Sequence, residues 1–416
     1  MSGTAWRTGL IVAAAFAALA STTANAEDDP GGQGPAYGGE RITAMGAEAS
    51  NLIPFMAGDS ASSRVGGLIH TTLLRYNGDL ELTGEAAKSW EVEDEGKTIT
   101  FHLRKDARFS DGHPLTSEDL AFTWETVVDP ETQTPYGSDY KRVSEVETPD
   151  PHTFVVHYDE PYAPALSTWA SLAIMPAHIL ADQNINDTPF ARDPVGAGPY
   201  KLSRWQAGQS IELTRHEGWF RRRAYINKIT FRVIPDNTTQ FLELQAGNID
   251  QMSPSPATFL RTFPERPDLR KRIATYKYLG NNYTYLGFNL RREPFTDRRV
   301  RRAIAHAIDR QELIKGVMLG QARRIAAPYK PGTRWYPDGI EPYGYDPDKA
   351  RTLLNEAGWS DSDGDGVLDK NGKRLSFEII TNNDNKQRKI AATLIQRRLK
   401  QVGIDVDLRL VEWATF

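Results

Sequence analysis

The chain has 416 residues, of which 39% are hydrophobic and 25% are charged. This composition is ordinary for a globular protein, and the length suffices for two or three lobes rather than one core. The 50 lysines and arginines are balanced by 54 acidic residues, which leaves a formal charge of -4. No overall basic field exists to attract phosphate backbones, so nucleic acid is not a predicted partner.

The first 26 residues predict a secretory signal. Arg7 precedes an apolar stretch from Leu10 to Ala20, and residues 24–26 form an A-x-A cleavage site ending at Ala26. This stretch is too short for a membrane span, which needs about 20 residues. The chain has no cysteine to carry a lipid anchor. We therefore expect a soluble periplasmic protein, cleaved near Ala26, with a flexible Gly/Pro-rich leader over residues 27–39.

The middle of the chain begins with a predicted hairpin and a helix. Hydrophobic residues alternate over residues 90–92 and 99–103, and Asp94–Lys97 separates the two runs as a turn. Thr116 can cap the following helix, which carries acidic residues in its first turn and an apolar face from Leu120 to Val128.

Towards the end of the chain the pattern predicts a helix and then a βαβ unit. The helix opens at Asp346-Pro347 and ends at Gly358. The unit comprises a strand over 375–380, a helix with its apolar stripe over 390–402, and an alternating strand over 404–410. A crossover of this length predicts parallel pairing and a right-handed connection, hence an α/β lobe after about residue 285. The chain stops soon after, at Phe416, and we expect a fragment.

Two charged segments admit functional and structural interpretations. The arginine-rich run over 291–302 could bind an anion, but the apolar stripe beside it favours the solvent-exposed face of an amphipathic helix. Four carboxylates resemble the first half of a calcium loop, namely Asp361, Asp363, Asp365 and Asp369. Gly372 stands where the bidentate glutamate belongs, so a solvated turn is favoured and structural calcium stays the alternative.

No recognisable catalytic signature stands in the sequence. The motifs G-x-S-x-G and H-E-x-x-H are absent, there is no cysteine nucleophile, and the eight histidines lack metal-ligand spacing. We therefore predict that the protein is not an enzyme. A secreted, calcium-assisted hydrolase remains a distant alternative, because spacing alone cannot identify pairs of catalytic carboxylates.

Four stretches together resemble the family 5 extracellular solute-binding proteins, the dipeptide- and oligopeptide-binding components of ATP-driven importers. They follow one another in the order that the family has: residues 84–124 (GEAAKSW to DLAFTW), 194–213 (PVGAGPYKLSRWQAGQSIEL), 285–309 (YLGFNLRREPFTDRRVRRAIAHAID) and 345–359 (YDPDKARTLLNEAGW). The resemblance runs from about residue 41 to the end of the chain.

This resemblance implies a two-lobed α/β fold of the periplasmic-binding-protein type II, with an extra domain inserted in lobe I and the C-terminal part missing. Lobe I would comprise residues 40–75 and 195–281, the inserted domain 76–194, and an incomplete lobe II 282–416. A hinge would lie near Tyr283–Asn289. Ligand contacts to both lobes would favour the closed state, which an inner-membrane ABC permease complex reads.

The resemblance also implies ligand-binding residues, partners and alternatives. The ligand would meet the loop Gly58-Asp59-Ser60, together with Tyr136, Tyr285 and Trp413. Trp413 follows an alternating strand and so lies at its carboxyl end, where open α/β sheets place ligands. We expect a monomer that takes a peptide or a similar small solute and needs no cofactor. The alternatives are a nickel chelate, an oligosaccharide or a sensor role on the same fold.

Overall fold

The computed structural model describes residues 35–280, 282–333, 335–413 and 415–416. The predicted signal and the leader up to residue 34 lie outside these ranges. Within them, no helix combines the length and the apolar character that crossing a membrane requires.

The described residues form fourteen strands and eleven α-helices. The strands are β1 (Glu40–Met45), β2 (Leu74–Tyr76), β3 (Leu82–Gly84), β4 (Ala87–Glu93), β5 (Thr98–Leu103), β6 (Val143–Asp150), β7 (Thr153–Tyr158), β8 (Tyr200–Gln206), β9 (Ser210–Arg215), β10 (Lys228–Val233), β11 (Asp369–Lys370), β12 (Lys373–Arg374), β13 (Ser376–Asn382) and β14 (Asp405–Val411). The helices are α1 (Ser60–Ile69), α2 (Ser117–Val128), α3 (Gly137–Tyr140), α4 (Ala165–Trp169), α5 (Ala177–Leu180), α6 (Asn237–Ala246), α7 (Pro267–Arg270), α8 (Arg298–Ala307), α9 (Arg310–Gly316), α10 (Pro347–Glu356) and α11 (Lys386–Lys400).

Three sheets organise the fold. The first has the order β1-β10-β9-β8, in which β1 and β10 run parallel and the other pairs antiparallel. The second is antiparallel throughout, with the order β4-β5-β7-β6. The third consists of β13 and β14, which pair in parallel. This mixed α/β architecture is the two-lobed type II fold.

The predicted hairpin and its helix are confirmed. β4 and β5 pair antiparallel across a tight turn at Asp94–Gly96. α2 begins after Thr116, and a capping box forms between Thr116 and Asp119. The second sheet and α2 bury a shared core that includes Trp169, Phe101 and Phe154. The turn at residues 94–97 thus connects two strands of the second sheet.

The predicted elements of the second half are also confirmed. α10 starts at Pro347 after its cap Asp346, and Gly358 follows its end with a φ of 85°. β13, α11 and β14 form the parallel βαβ unit. Ile390 differs from the prediction, because it stays 51% exposed at the margin of the apolar stripe of α11.

The arginine-rich run forms part of an amphipathic helix, as the sequence favoured. Asp297 caps α8, which buries Val300, Ala303 and Ile304. Arg299 pairs with Asp297 at 2.7 Å. Arg301 donates hydrogen bonds to the carbonyls of residues 295 and 296. Two of these arginines, Arg299 and Arg301, therefore make polar contacts with neighbouring residues of the same lobe.

The domain boundaries stay predictions, although the three sheets fall inside the three predicted segments. One core mixes two of these segments, because Ile53, Phe55 and Leu73 pack with the residues of the second sheet.

The end of the predicted flexible leader, residues 27–39, differs from the prediction. The backbone N–H of Gly38 donates to Tyr225 O at 2.7 Å, so the chain is held before β1 begins.

Residues 274–288 connect the first two sheets to the rest of the chain. The described residues of this segment, 274–280 and 282–288, form no helix or strand. No backbone hydrogen bond joins it to the other residues that the structure describes. Several of its tyrosines are exposed, with Tyr276 at 80% and Tyr278 at 83%. The predicted hinge at Tyr283–Asn289 lies at the end of this segment and remains a prediction.

Candidate functional site

The carboxyl ends of β1 and β10 form one side of the candidate site. Because these strands are parallel, residues 46–59 after β1 and residues 234–236 after β10 emerge at the same edge of the sheet. Asp59 caps α1 and Asp236 caps α6, so both helices begin at this edge. Open α/β sheets place their ligands at such an edge.

The loop that contains Gly58, Asp59 and Ser60 is held by its own side chains. Asp59 accepts hydrogen bonds from the hydroxyls of Ser50 at 2.6 Å and Ser62 at 2.5 Å, and from the backbone N–H of Ser62 at 2.8 Å. Burial acts to raise the pKa of Asp59, but these hydrogen bonds outweigh it, so the pKa lies below its usual value. The carboxylate is therefore ionised and already satisfied within the loop.

The structure brings Tyr136 onto this loop. Its hydroxyl donates to Ala57 O at 3.3 Å, and Thr134 Oγ1 donates to Phe55 O at 2.5 Å. Tyr136 remains 47% exposed. We call residues 46–60 together with Tyr136 the first wall.

His70 supports the first wall through a hydrogen bond to Leu52. It is buried at the end of α1, and its Nε2 lies 2.9 Å from Leu52 O. Its Nδ1 is buried and has no hydrogen-bond partner among the described residues. Burial lowers the pKa of His70 to about 4, so the ring is neutral near neutral pH, with Nε2 as the donor to Leu52.

The carboxyl ends of β13 and β14 form the other side. Asn383 follows β13, and its amide donates to Glu412 Oε1 at 2.6 Å. Trp413 stands two residues after β14 and is partly exposed. We call Asn382, Asn383, Arg388 and Trp413 the second wall. Trp413 therefore lies at the strand end where its sequence position predicted it.

Arg388 is the member of this wall that the sequence reasoning missed. Its guanidinium carbon lies 5.9 Å from the ring centre of Trp413 and 5.5 Å from that of Phe416. Its Nη1 donates to Asn382 Oδ1 at 3.0 Å, and it forms no salt bridge with any described carboxylate. A guanidinium has five N–H donors, so most of them have no partner among the described residues.

The sequence contains a helix cap, Asn385, that could have indicated the position of Arg388. The helix was expected to carry its apolar stripe from Ile390, whereas α11 starts at Lys386 with Asn385 as its cap. Asn385 Oδ1 accepts from the N–H of Arg388, which identifies the first turn. Asparagine is a favoured cap, so an earlier helix start would have placed Arg388 at the strand ends.

Elements next to the two walls meet across one cleft. Lys386 Nζ lies 3.6 Å from Asp236 Oδ2, which joins the first turn of α11 to the end of β10. A cavity of about 840 Å³ is lined both by Arg41, Phe241 and Leu244 and by Gln321 and Gln387. Elements of both halves therefore border the same space.

This cavity and the predicted ligand residues do not coincide, because none of the six lines it. One border of the cavity is the segment 272–278, most of which makes no hydrogen bonds to the described residues. In the two walls, hydrogen bonds hold Asp59, Tyr136, Asn383 and Arg388, and ring contacts hold Trp413. We therefore assign the candidate site to the strand ends.

Tyr285 is the predicted residue that the structure leaves apart from both walls. It is 74% exposed, and its ring lies 5.5 Å from that of Tyr283. No hydrogen bond or ring contact joins it to Tyr136 or Trp413 in the described part of the chain. Its role as a ligand contact stays a prediction.

The possible calcium loop has three of its four carboxylates together. Asp361, Asp363 and Asp365 have oxygens within 4.8 Å of one another, and all three residues are exposed. Asp369 instead accepts hydrogen bonds from Ser362, and Arg374 forms a salt bridge with Asp365. These internal partners suit a solvated turn, and exposed acidic groups of this kind are common without a metal.

The family described as "Bacterial extracellular solute-binding proteins, family 5 Middle" matches residues 81–416. The oligopeptide-binding protein AppA of Bacillus subtilis (strain 168) is 32% identical over 417 residues, which cover 97% of this chain and 75% of AppA.

Solved structures give the same picture. The structure of AppA with a nonapeptide matches with a TM-score of 0.84 and 29% identity, over 92% of this chain and 76% of that one. DppA from Helicobacter pylori, with the peptide STSA, matches at 0.79 with 27% identity, over 92% and 75%. NikZ from Campylobacter jejuni, with Ni(L-His), matches at 0.79 with 25% identity, over 91% and 74%.

Proposed function

Because the chain belongs to the bacterial extracellular solute-binding proteins of family 5, we propose that it captures peptides in its cleft and delivers them to the permease of an ATP-driven importer. The observation that carries the proposal is the similarity over nearly the whole chain to AppA, whose solved structure holds a nonapeptide. The similarity to DppA with a bound tetrapeptide supports the same ligand class.

The chemistry of the two walls suits a peptide. Trp413 offers a broad apolar face and an indole N–H at a strand end, which can cover a ligand without selecting one side chain. Arg388 offers a cation with unused donors, which suits the carboxylate that every free peptide carries. The loop Gly58-Asp59-Ser60 and Tyr136 would shape the opposite side, and Tyr285 would contact the ligand from the hinge.

Function then follows from closure. A ligand that contacts both walls binds the closed arrangement more tightly than the open one, so it shifts the population towards closure. The permease would recognise that closed form. The protein would act as a periplasmic monomer after cleavage near Ala26, return its ligand chemically unchanged, and need no cofactor.

A second candidate ligand is a nickel chelate, which NikZ holds in its solved structure. The chelate Ni(L-His) also carries a carboxylate, so Arg388 could serve either ligand class. The fold is the same for both candidates, and only binding measurements separate them.

The test is isothermal titration of the full-length protein with STSA, with a pool of peptides of two to nine residues, and with Ni(L-His). The proposal expects binding of peptides and recovery of intact peptide after prolonged incubation. Binding of Ni(L-His) with silence across all peptides would reject the peptide assignment. Cleaved peptide in the recovered fraction would reject the assignment as a pure binding protein.

A further inference from the structure

One salt bridge joins the two sides of the cleft. Among the described residues, the pair formed by Asp236 and Lys386 is the one salt bridge between the part before residue 280 and the part after residue 282. The two parts are also connected covalently through residues 274–288, whose described residues form no helix or strand. A single ion pair therefore occupies a position where it can influence how the two parts approach each other.

The carboxylate of this pair is held in place by the helix that it caps. Asp236 Oδ1 accepts hydrogen bonds from the N–H of Thr239 at 2.8 Å and from its hydroxyl at 3.0 Å. The other oxygen, Oδ2, lies 3.6 Å from Lys386 Nζ. One oxygen thus fixes the orientation, and the second is presented across the cleft. This fixed orientation lowers the entropy cost of forming the pair.

The lysine comes from the turn that carries the second wall. Lys386 is the first residue of α11, Gln387 borders the shared cavity, and Arg388 lies against Trp413. The Lys386 side chain is 77% exposed, so it can leave Asp236 without leaving a buried charge. Closing the pair brings this turn, with the side chain of Arg388, towards the first half of the chain.

We propose that Asp236 and Lys386 form a latch that favours the closed arrangement of the two lobes. The latch rests on the proposed function, because closure around a solute is what it would regulate. An ion pair between exposed side chains changes an equilibrium about two- to fivefold. A bias of this size assists closure and still allows the ligand to be released to a permease.

The test measures the distance between the lobes in the full-length protein. The chain has no cysteine, so Ser203→Cys on β8 and Thr352→Cys on α10, both at exposed positions, allow specific spin labelling. Distances are recorded without ligand for the parent and for Lys386→Gln, Asp236→Asn and the double variant. Asparagine is a good helix cap, so Asp236→Asn removes the charge and keeps the start of α6.

The latch predicts that each single substitution lowers the ratio of closed to open molecules about two- to fivefold, and that the double variant equals the singles. Lys386→Glu, which faces Asp236 with a like charge, should lower the ratio further. The matched control is Lys400→Glu, at the exposed far end of α11, which should leave the ratio unchanged. In 1 M salt the differences should shrink, because screening weakens exposed ion pairs.

Equal distance distributions in the parent and in Lys386→Glu would overturn the latch. Additive effects in the double variant would overturn it too, because they would place the two residues in separate roles. Adding STSA to the same samples separates this result from the proposed function. A parent that opens and closes as predicted but ignores every peptide would retain the latch and reject the peptide assignment.

Discussion

The two walls of the cleft use their polar groups differently. In the first wall, the carboxylate of Asp59 is satisfied by Ser50 and Ser62, and the Tyr136 hydroxyl donates to Ala57. In the second wall, Arg388 uses one donor on Asn382 and has no acidic partner among the described residues. The polar groups of the first wall therefore fix the shape of its loop, whereas the Arg388 guanidinium of the second wall keeps N–H groups without a partner among the described residues. We expect substitutions in the first wall to change stability and substitutions in the second to change binding.

The largest effect is expected at Trp413 in the second wall. Replacing Trp413 with alanine should weaken peptide binding by about 1–3 kcal/mol, the range for burying a large apolar side chain. The melting temperature without ligand should barely move, because the indole is already partly exposed. Titration calorimetry and thermal melts of both proteins check this. Normal binding with early unfolding would show that Trp413 belongs to the core, and the comparison of the walls would fail.

The first wall should show its role through the pH dependence of stability. The pKa of His70 is about 4 in the folded protein and about 6.5 when unfolded, so the unfolded state takes up a proton more readily. The stabilisation is complete above pH 6.5 and is lost as the pH falls towards 4. At pH 5 the loss relative to pH 7 should be about 2 kcal/mol. Protonation leaves the Nε2–H hydrogen bond to Leu52 O in place, but it puts a positive charge in a buried site, which destabilises the folded state.

Denaturant unfolding at pH 7 and pH 5 measures this slope. His70→Gln should flatten it, because glutamine does not titrate, while it can still donate to Leu52 O. The matched control is His102→Gln, at a side chain that is 42% exposed, which should retain the slope of the parent. An unchanged slope in His70→Gln would assign the acid sensitivity to other groups.

Arg388 provides a smaller and more specific effect. Replacing Arg388 with glutamine should weaken binding of STSA by about 1–2 kcal/mol, because it removes a charge-assisted hydrogen bond to the peptide carboxylate. The parent should bind the C-terminal amide of STSA more weakly than the acid, and the variant should bind both alike. The control is Arg298→Gln on α8, which removes the same charge elsewhere on the surface. Equal affinities of the parent for acid and amide would exclude Arg388 as a carboxylate contact.

Tyr136 should give the smallest effect and thereby test the comparison most closely. Its hydrogen bond to Ala57 O is long, at 3.3 Å, and the side chain is 47% exposed. Tyr136→Phe should therefore lower stability by less than about 0.5 kcal/mol. Peptide affinity should stay within a factor of two if the hydroxyl serves the loop. A tenfold loss of affinity with unchanged stability would make the hydroxyl a ligand contact instead.

Local patterns predicted several elements, among them the βαβ unit that carries the second wall. Thr116 and Asp119 announced the start of α2, and Asp346 with Pro347 announced α10, because capping depends on residues within one turn. The parallel βαβ unit followed from period and length, and it placed Trp413 at a strand end. Parallel strands have their carboxyl ends at one edge, so this placement needs no knowledge of distant contacts.

The elements predicted over residues 90–128 and 346–410 depend on neighbours in sequence, and so does the strand-end position of Trp413, so the chain alone could indicate them. The export signal is an expectation of the same kind. The partners of Asp59, the support of Leu52 by His70 and the contact of Arg388 with Trp413 were decided by the tertiary structure. So was the pairing of Asp236 with Lys386, which lie 150 positions apart in the sequence. Many carboxylates could meet many cations in this chain, and only the packing of the lobes selects which of them do.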